Sequence, residues 1–206
     1  MKLNYARTAL AVVATITTAS LALLPLGSCI DNPNGNDSDS VNVISTALLP
    51  IAETEGIVGD GTTMNALELV TDKGDTLQVE LGPSRVVGGV SAGERVSVIY
   101  SKVNGQPVAA VATNLTALQH LWTQRLPDGT RQSLEINPGG YATTYDMGDI
   151  DYDGWSVKNG QLLLHQSKNA AREGASITDT FDILLLNEDT LVIGSDLMQA
   201  VFRRDN

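Results

Sequence analysis

Hydrophobic positions along most of this chain recur with a period of two. Leu67 and Leu69, then Leu77, Val79 and Leu81, alternate with polar neighbours, as half-buried strands do. Asp72-Lys73-Gly74-Asp75 supplies the turn between these two runs. Val96, Val98 and Tyr100 form a third run, and Asn104-Gly105 marks a tight hairpin because both residues tolerate positive φ. Five short strands interrupted by a glycine-rich excursion, Gly82 to Gly93, predict a small OB-like barrel over residues 52–115.

The alternation continues to the C-terminus. Strands are predicted over Leu118–Leu126, Gln132–Asn137, Tyr141–Met147, Asp151–Lys158, Gln161–Gln166, Ser176–Leu186, Thr190–Ile193 and Met198–Arg203. Turn signals separate them: Pro127-Asp128-Gly129, Pro138-Gly139-Gly140, Asn159-Gly160 and Asn187-Glu188-Asp189. Short strands at this spacing imply a barrel or sandwich over residues 116–206. No helix longer than a few turns is expected after the N-terminal stretch, so the fold class is all-β.

The N-terminus breaks the pattern. Lys2 and Arg7 precede a stretch from Ala9 to Leu24 that carries no charge, and Leu26-Gly27-Ser28-Cys29 comes next. A charged start, a short apolar core and small residues before a cut site describe an export signal over residues 1–28. Small residues before a cysteine resemble the lipobox of bacterial lipoproteins, so the expected mature chain begins at a lipidated Cys29. The alternatives are a plain secretory signal with an incidental cysteine and a membrane-spanning helix. The apolar run falls short of the ~20 residues a span requires, and Pro25 and Gly27 stand between it and the cysteine. One acyl chain binds membranes marginally and two or more bind stably. Ile30 to Ser40 reads IDNPNGNDSDS, which has almost nothing to bury and predicts a tether; Val41 to Pro50 is more apolar and stays open between strand and stalk. Residues 29–51 thus form the lipidated cysteine and its tether. Ile30 lacks the aspartate that retains many lipoproteins at the inner membrane, so the outer membrane is expected, in either leaflet.

Charge narrows the partners. The net charge is −11, and loss of Lys2 and Arg7 with the leader would take it to −13. A chain this acidic has no footprint for nucleic acid, whose phosphates require clustered Lys and Arg. Attraction to anionic headgroups is excluded for the same reason, which leaves the lipid to do the anchoring. Cys29 is the only cysteine, so no disulfide forms within the chain.

A set of residues carries a family resemblance. In order these are Trp122, then Ser133-Leu134-Glu135-Ile136-Asn137-Pro138-Gly139-Gly140-Tyr141-Ala142, Tyr152-Asp153-Gly154-Trp155, Leu162-Leu163-Leu164, Asp179-Thr180-Phe181-Asp182-Ile183 and Asp189-Thr190-Leu191. The pattern resembles the lipocalin-like domain of Bacteroidetes lipoproteins, related to the NlpE-type envelope lipoproteins. Residues 56–115 resemble the OB-like domain that accompanies it. The resemblance implies an outer-membrane lipoprotein with a meander barrel, in a group linked to envelope stress, surface sensing and copper tolerance. Copper handling in that group involves a Cys-x-x-Cys pair. This chain has none, so that property is not carried over.

Candidate chemistry is sparse. Gly89-Val90-Ser91-Ala92-Gly93 matches G-x-S-x-G, but the nucleophile elbow needs a strand-to-helix turn and a strand is predicted next. His120 and His165 are the only histidines, too few for a zinc site without further ligands. Asp149, Asp151 and Asp153 open a D-x-D-x-D-G loop whose closing position holds Gly160 instead of glutamate. The preferred reading places these acids on one side of a strand, with calcium as the alternative; no metal and no cofactor are expected. Trp122, Tyr141 and Trp155 are the candidate ligand-binding residues, with barrel filling as the competing role. Asp39-Ser40-Val41 resembles the O-glycosylation sequon of Bacteroidetes, which makes Ser40 a modification candidate; Asp75-Thr76-Leu77 and Asp189-Thr190-Leu191 match as well. No catalytic set emerges. Two roles remain: a lipoprotein binding or sensing a small apolar or amphipathic ligand, and an accessory acting through contacts with another envelope protein.

Overall fold

The first hairpin shows how a small barrel is bent. β1 (Ile51–Val58) pairs antiparallel with β2 (Ala66–Thr71), and Gly56 faces Thr71 across the ladder. A Cβ at Gly56 would stand 2.3 Å from the Val70 carbonyl oxygen, so only glycine allows the strands to close here. The computed structural model describes residues 51–167, 177–196 and 198–205. The expected leader, Cys29, the tether and Ser40 lie outside these residues.

β2 continues into β3 (Thr76–Glu80). A short β4 (Arg85–Val87) precedes β5 (Arg95–Val103) and β6 (Gln106–Asn114). β5 pairs with β1 and with β6, and β6 returns parallel to β3 at Glu80 and Val108, which closes five strands into the OB-like barrel. Its core is Val58, Leu67, Leu69, Val79, Val96, Val98 and Ala112 with their neighbours. β4 is a sixth strand in the glycine-rich excursion, laid parallel on β6. At three residues within a glycine-rich stretch, β4 is too short to be visible as alternation.

A single helical turn, α1 (Leu115–Leu118), stands where the start of a strand was expected. Asn114 caps it, accepting from the Ala117 N–H at 2.9 Å. The strand begins only at β7 (Leu121–Arg125). Seven more come after it: β8 (Arg131–Asn137), β9 (Tyr141–Tyr145), β10 (Tyr152–Lys158), β11 (Gln161–Gln166), β12 (Thr178–Leu186), β13 (Thr190–Ser195) and β14 (Met198–Arg204). Each pairs antiparallel with the next, and β14 returns to β7 through Arg203 and Thr123 to close the barrel. Asn159 and Gly160 both take positive φ, 52° and 73°, as a two-residue hairpin turn requires.

The two barrels belong to one compact unit, residues 48–206. Val87 of β4 and Leu115 of α1 enter the core of the eight-stranded barrel beside Leu118 and Leu186. The expected boundary at residues 115 and 116 therefore falls inside α1, which serves the second barrel. Polar contacts reinforce the join. Arg85 donates to the Ile183 carbonyl, and the Asn159 N–H donates to the Glu53 carboxylate at 3.0 Å.

Candidate functional site: the mouth of the eight-stranded barrel

Strand register fixes which side chains share the inner face. Leu134 stands opposite Trp122 and Thr144, Leu164 opposite Trp155 and Asp179, and Ile193 opposite Ile183 and Ala200. At the end near α1 this face is wholly apolar. Trp122 is completely buried and donates its indole N–H to the Leu118 carbonyl at 2.8 Å, which ties the base of the barrel to the helical turn. Trp155 is 7% exposed and donates to the Asn137 carbonyl at 2.8 Å. Leu134, Ile136, Leu162, Leu164, Ile183 and Leu191 fill the space between. An eight-stranded barrel is wide enough for its own side chains or for one small ligand. Here the base and middle are taken by side chains.

The opposite end differs in chemistry. Continuing each strand toward loops 126–130 and 146–151, the inward positions become Gln124 opposite Gln132, Tyr152 opposite Gln166, and Ser195 opposite Met198. The Gln124 amide donates to Gln132 at 3.0 Å. Asp179 Oδ2 accepts from the Tyr152 hydroxyl at 2.7 Å and from the Gln166 amide at 2.8 Å. Burial, then this hydrogen bond and the charge of Asp179, push the Tyr152 hydroxyl well above the ordinary tyrosine range, so it stays a donor. Ser167 donates to Asp151 at 2.7 Å at the rim. Met147 and Met198 pack, half-buried, on the apolar layer below. Among the described residues, this end carries a polar cluster around the Asp179 carboxylate, above an apolar layer edged by two adaptable thioethers.

The three aromatic residues expected to line a ligand site are not brought together at this mouth. Trp122 and Trp155 face inward toward the α1 end and fill the barrel. Tyr141 is 69% exposed and projects outside it. Among the described residues, those that reach the mouth include Tyr152, Gln166, Asp179, Gln124, Gln132 and the two methionines. Their signal was present as polar residues at inward parity, Gln166 after Leu162 and Leu164, and Asp179 before Phe181 and Ile183.

The other candidates are dispersed. Asp149 lies in the turn before β10, Asp151 at its edge and Asp153 within it, so the three acids do not share one strand face. Among the described residues no three His, Cys, Asp or Glu side chains gather as a metal site. Ser91 lies in a loop that leads directly into β5, without the helix of a nucleophile elbow. His120 stands edge-on to Trp122, with ring centroids 5.8 Å apart, and burial followed by the Arg204 charge lowers its pKa. His165 lies on the outer face between Ser156 and Thr178. Of the sequon threonines, Thr76 is exposed and Thr190 is buried.

One family model matches, over the residues of this barrel. Residues 114–205 match the model of a family described as lipocalin-like. Among solved structures, the chain is similar to a lipocalin-like protein from Bacteroides thetaiotaomicron, with 25% identity and a TM-score of 0.36, over 43% of this chain and 97% of that one. No curated protein matches. The family match begins at Asn114, the residue that caps α1.

Proposed function

We propose that this chain is a non-catalytic envelope lipoprotein, anchored through Cys29, whose lipocalin-like barrel takes a small amphipathic ligand at its mouth. The carrying observation is the reversal of polarity along the barrel interior, from a sealed apolar base to the Asp179, Tyr152 and Gln166 cluster. Buried polar groups are costly unless they are paired, and ligand sites keep a few placed polar groups over apolar walls. The filled base restricts a ligand to the upper layer, where its polar group would meet Asp179 and its apolar part would displace Met147 and Met198.

The test is a titration of the full chain in phospholipid nanodiscs, labelled with 13C at the methionine methyls. Extracts of the native envelope should shift Met147 and Met198 saturably, and Asp179→Asn should weaken the response about tenfold, in keeping with a hydrogen bond to a charged group. A response that is absent, or the same in the variant, contradicts the proposal.

One observation favours the accessory role as a second reading. On the outer face, Leu185 stands opposite Val192, and Val192, itself buried, opposite Val201, so two exposed apolar side chains flank a covered one across β12, β13 and β14. Leu184, Leu185 and Val201 are each about half exposed. Exposed apolar side chains gathered on one sheet face are a mark of protein contact sites. Cross-linking in the native envelope separates the readings: a partner lost on Leu185→Glu/Val201→Glu supports the accessory role.

A further inference from the structure

We infer that the OB-like barrel carries a second ligand site, a cleft of about 610 Å³ that fits a small cationic amphiphile. The cleft opens at the end of the small barrel where the β1–β2 loop meets the β3–β5 excursion. Its volume lies within the range of small-molecule sites, roughly 300–1,000 Å³. Leu81, Val86 and Val90 form an aliphatic wall, with Met64 at the rim. Leu81 and Val90 are continuous with the barrel core. Asp60 and Ser91 also line the cleft.

Charge selects the ligand. Asp60 has no ion pair among the described residues. The arginines of this barrel are occupied elsewhere: Arg85 donates to the Ile183 carbonyl, and Arg95 pairs with Asp72 and Glu55. The cleft therefore presents one carboxylate beside aliphatic surface and no basic group. That combination repels a carboxylate or phosphate head and suits an ammonium on an alkyl body. The net charge of −11 adds long-range attraction for cations.

The walls are held in place before any ligand arrives. Ser91 N–H donates to Glu94 Oε2 at 2.7 Å, and the same oxygen accepts from Asn114 Nδ2 at 2.9 Å. On the other side, Gly61 N–H donates to Glu68 Oε1 at 3.2 Å, and Thr63 N–H to the Ala66 carbonyl at 2.8 Å. A preformed site spares a ligand the cost of ordering loops.

Methionine methyls separate this site from the barrel mouth, because Met64 belongs to the cleft and Met147 and Met198 to the mouth. The 13C-methyl-labelled full chain in nanodiscs is titrated with hexylamine, hexanol and hexanoate. Hexylamine should shift Met64 saturably and bind more tightly than hexanol, with hexanoate weakest. Asp60→Asn should weaken hexylamine up to about fivefold, the upper end for one exposed ion pair, and leave hexanol unchanged. Equal affinities for the three probes, a Met64 shift that never saturates, or an unaffected variant overturns the site. Saturation at Met64 with Met147 and Met198 silent supports the cleft whatever becomes of the mouth.

Discussion

Asn114 donates its amide to the Glu94 carboxylate at 2.9 Å, while its side-chain oxygen caps α1. The same amide also donates to the Gly89 carbonyl at 3.1 Å. One buried side chain thus joins the last strand of the small barrel, the excursion loop and the turn that seals the large barrel. The Gly88 position is equally tight, with Leu186 Cδ2 2.8 Å from where a Cβ would stand.

Asn114→Ala should therefore cost about 2–3 kcal/mol: the loss of a helix cap, typically ~1 kcal/mol, together with buried groups left without partners. Urea unfolding followed by tryptophan emission measures it. A loss under about 0.5 kcal/mol would mean that the junction is not a structural hub.

Trp122→Ala should cost about 3–5 kcal/mol, the range for removing a buried aromatic side chain. Thermal unfolding of the variant checks this. The same experiment distinguishes a structural tryptophan from a ligand contact, because Trp122→Phe should keep most of the stability and leave binding at the mouth unchanged.

Acid should weaken the fold in a window set by His120. Burial, then the Arg204 charge, lowers its folded pKa, so the unfolded chain holds the proton more readily. The stability it contributes is complete above the ordinary histidine value of ~6.5 and declines as pH falls through and below that value. Melting temperature should fall between pH 7.5 and 5, and His120→Gln should flatten that slope. An identical slope in the variant would assign the pH dependence to other groups.

Part of this architecture was legible in the sequence. Period-two runs and Asn-Gly turns are local, and they fixed the all-β class and the hairpins at Asn104-Gly105 and Asn159-Gly160. α1 was not legible, because Leu115 and Leu118 fit a strand as well as one capped turn. β4 was hidden by its three-residue length in glycine-rich surroundings. The polar end of the large barrel was not legible, for a geometric reason. Parity along a strand gives the inward face, but depth in the barrel depends on strand tilt and register across the closure. Trp122 and Trp155 were placed on the inward side of the sheet, and of the two roles weighed for them the structure shows them filling the barrel. Asp179 is a single acid at inward parity, and its partners Tyr152 and Gln166 lie far from it in sequence, so their cluster shows only in the fold.

The N-terminal expectations are open to direct measurement. Cys29 should take up labelled palmitate, and Cys29→Ala should leave a larger, unprocessed chain. Unchanged size and membrane retention in that variant would end the lipoprotein reading. Intact mass also tests glycosylation. Added glycan is expected at Ser40, Thr76 is the exposed alternative, and the burial of Thr190 closes that position to modification.

The central claim is that the polar mouth of the second barrel holds a ligand. Native mass spectrometry of the full chain, released gently from its own envelope, tests it most directly. The expected spectrum contains a noncovalent small molecule at one equivalent, lost on collisional activation and strongly reduced in Asp179→Asn. A spectrum that shows only the polypeptide with its covalent modifications would contradict the claim.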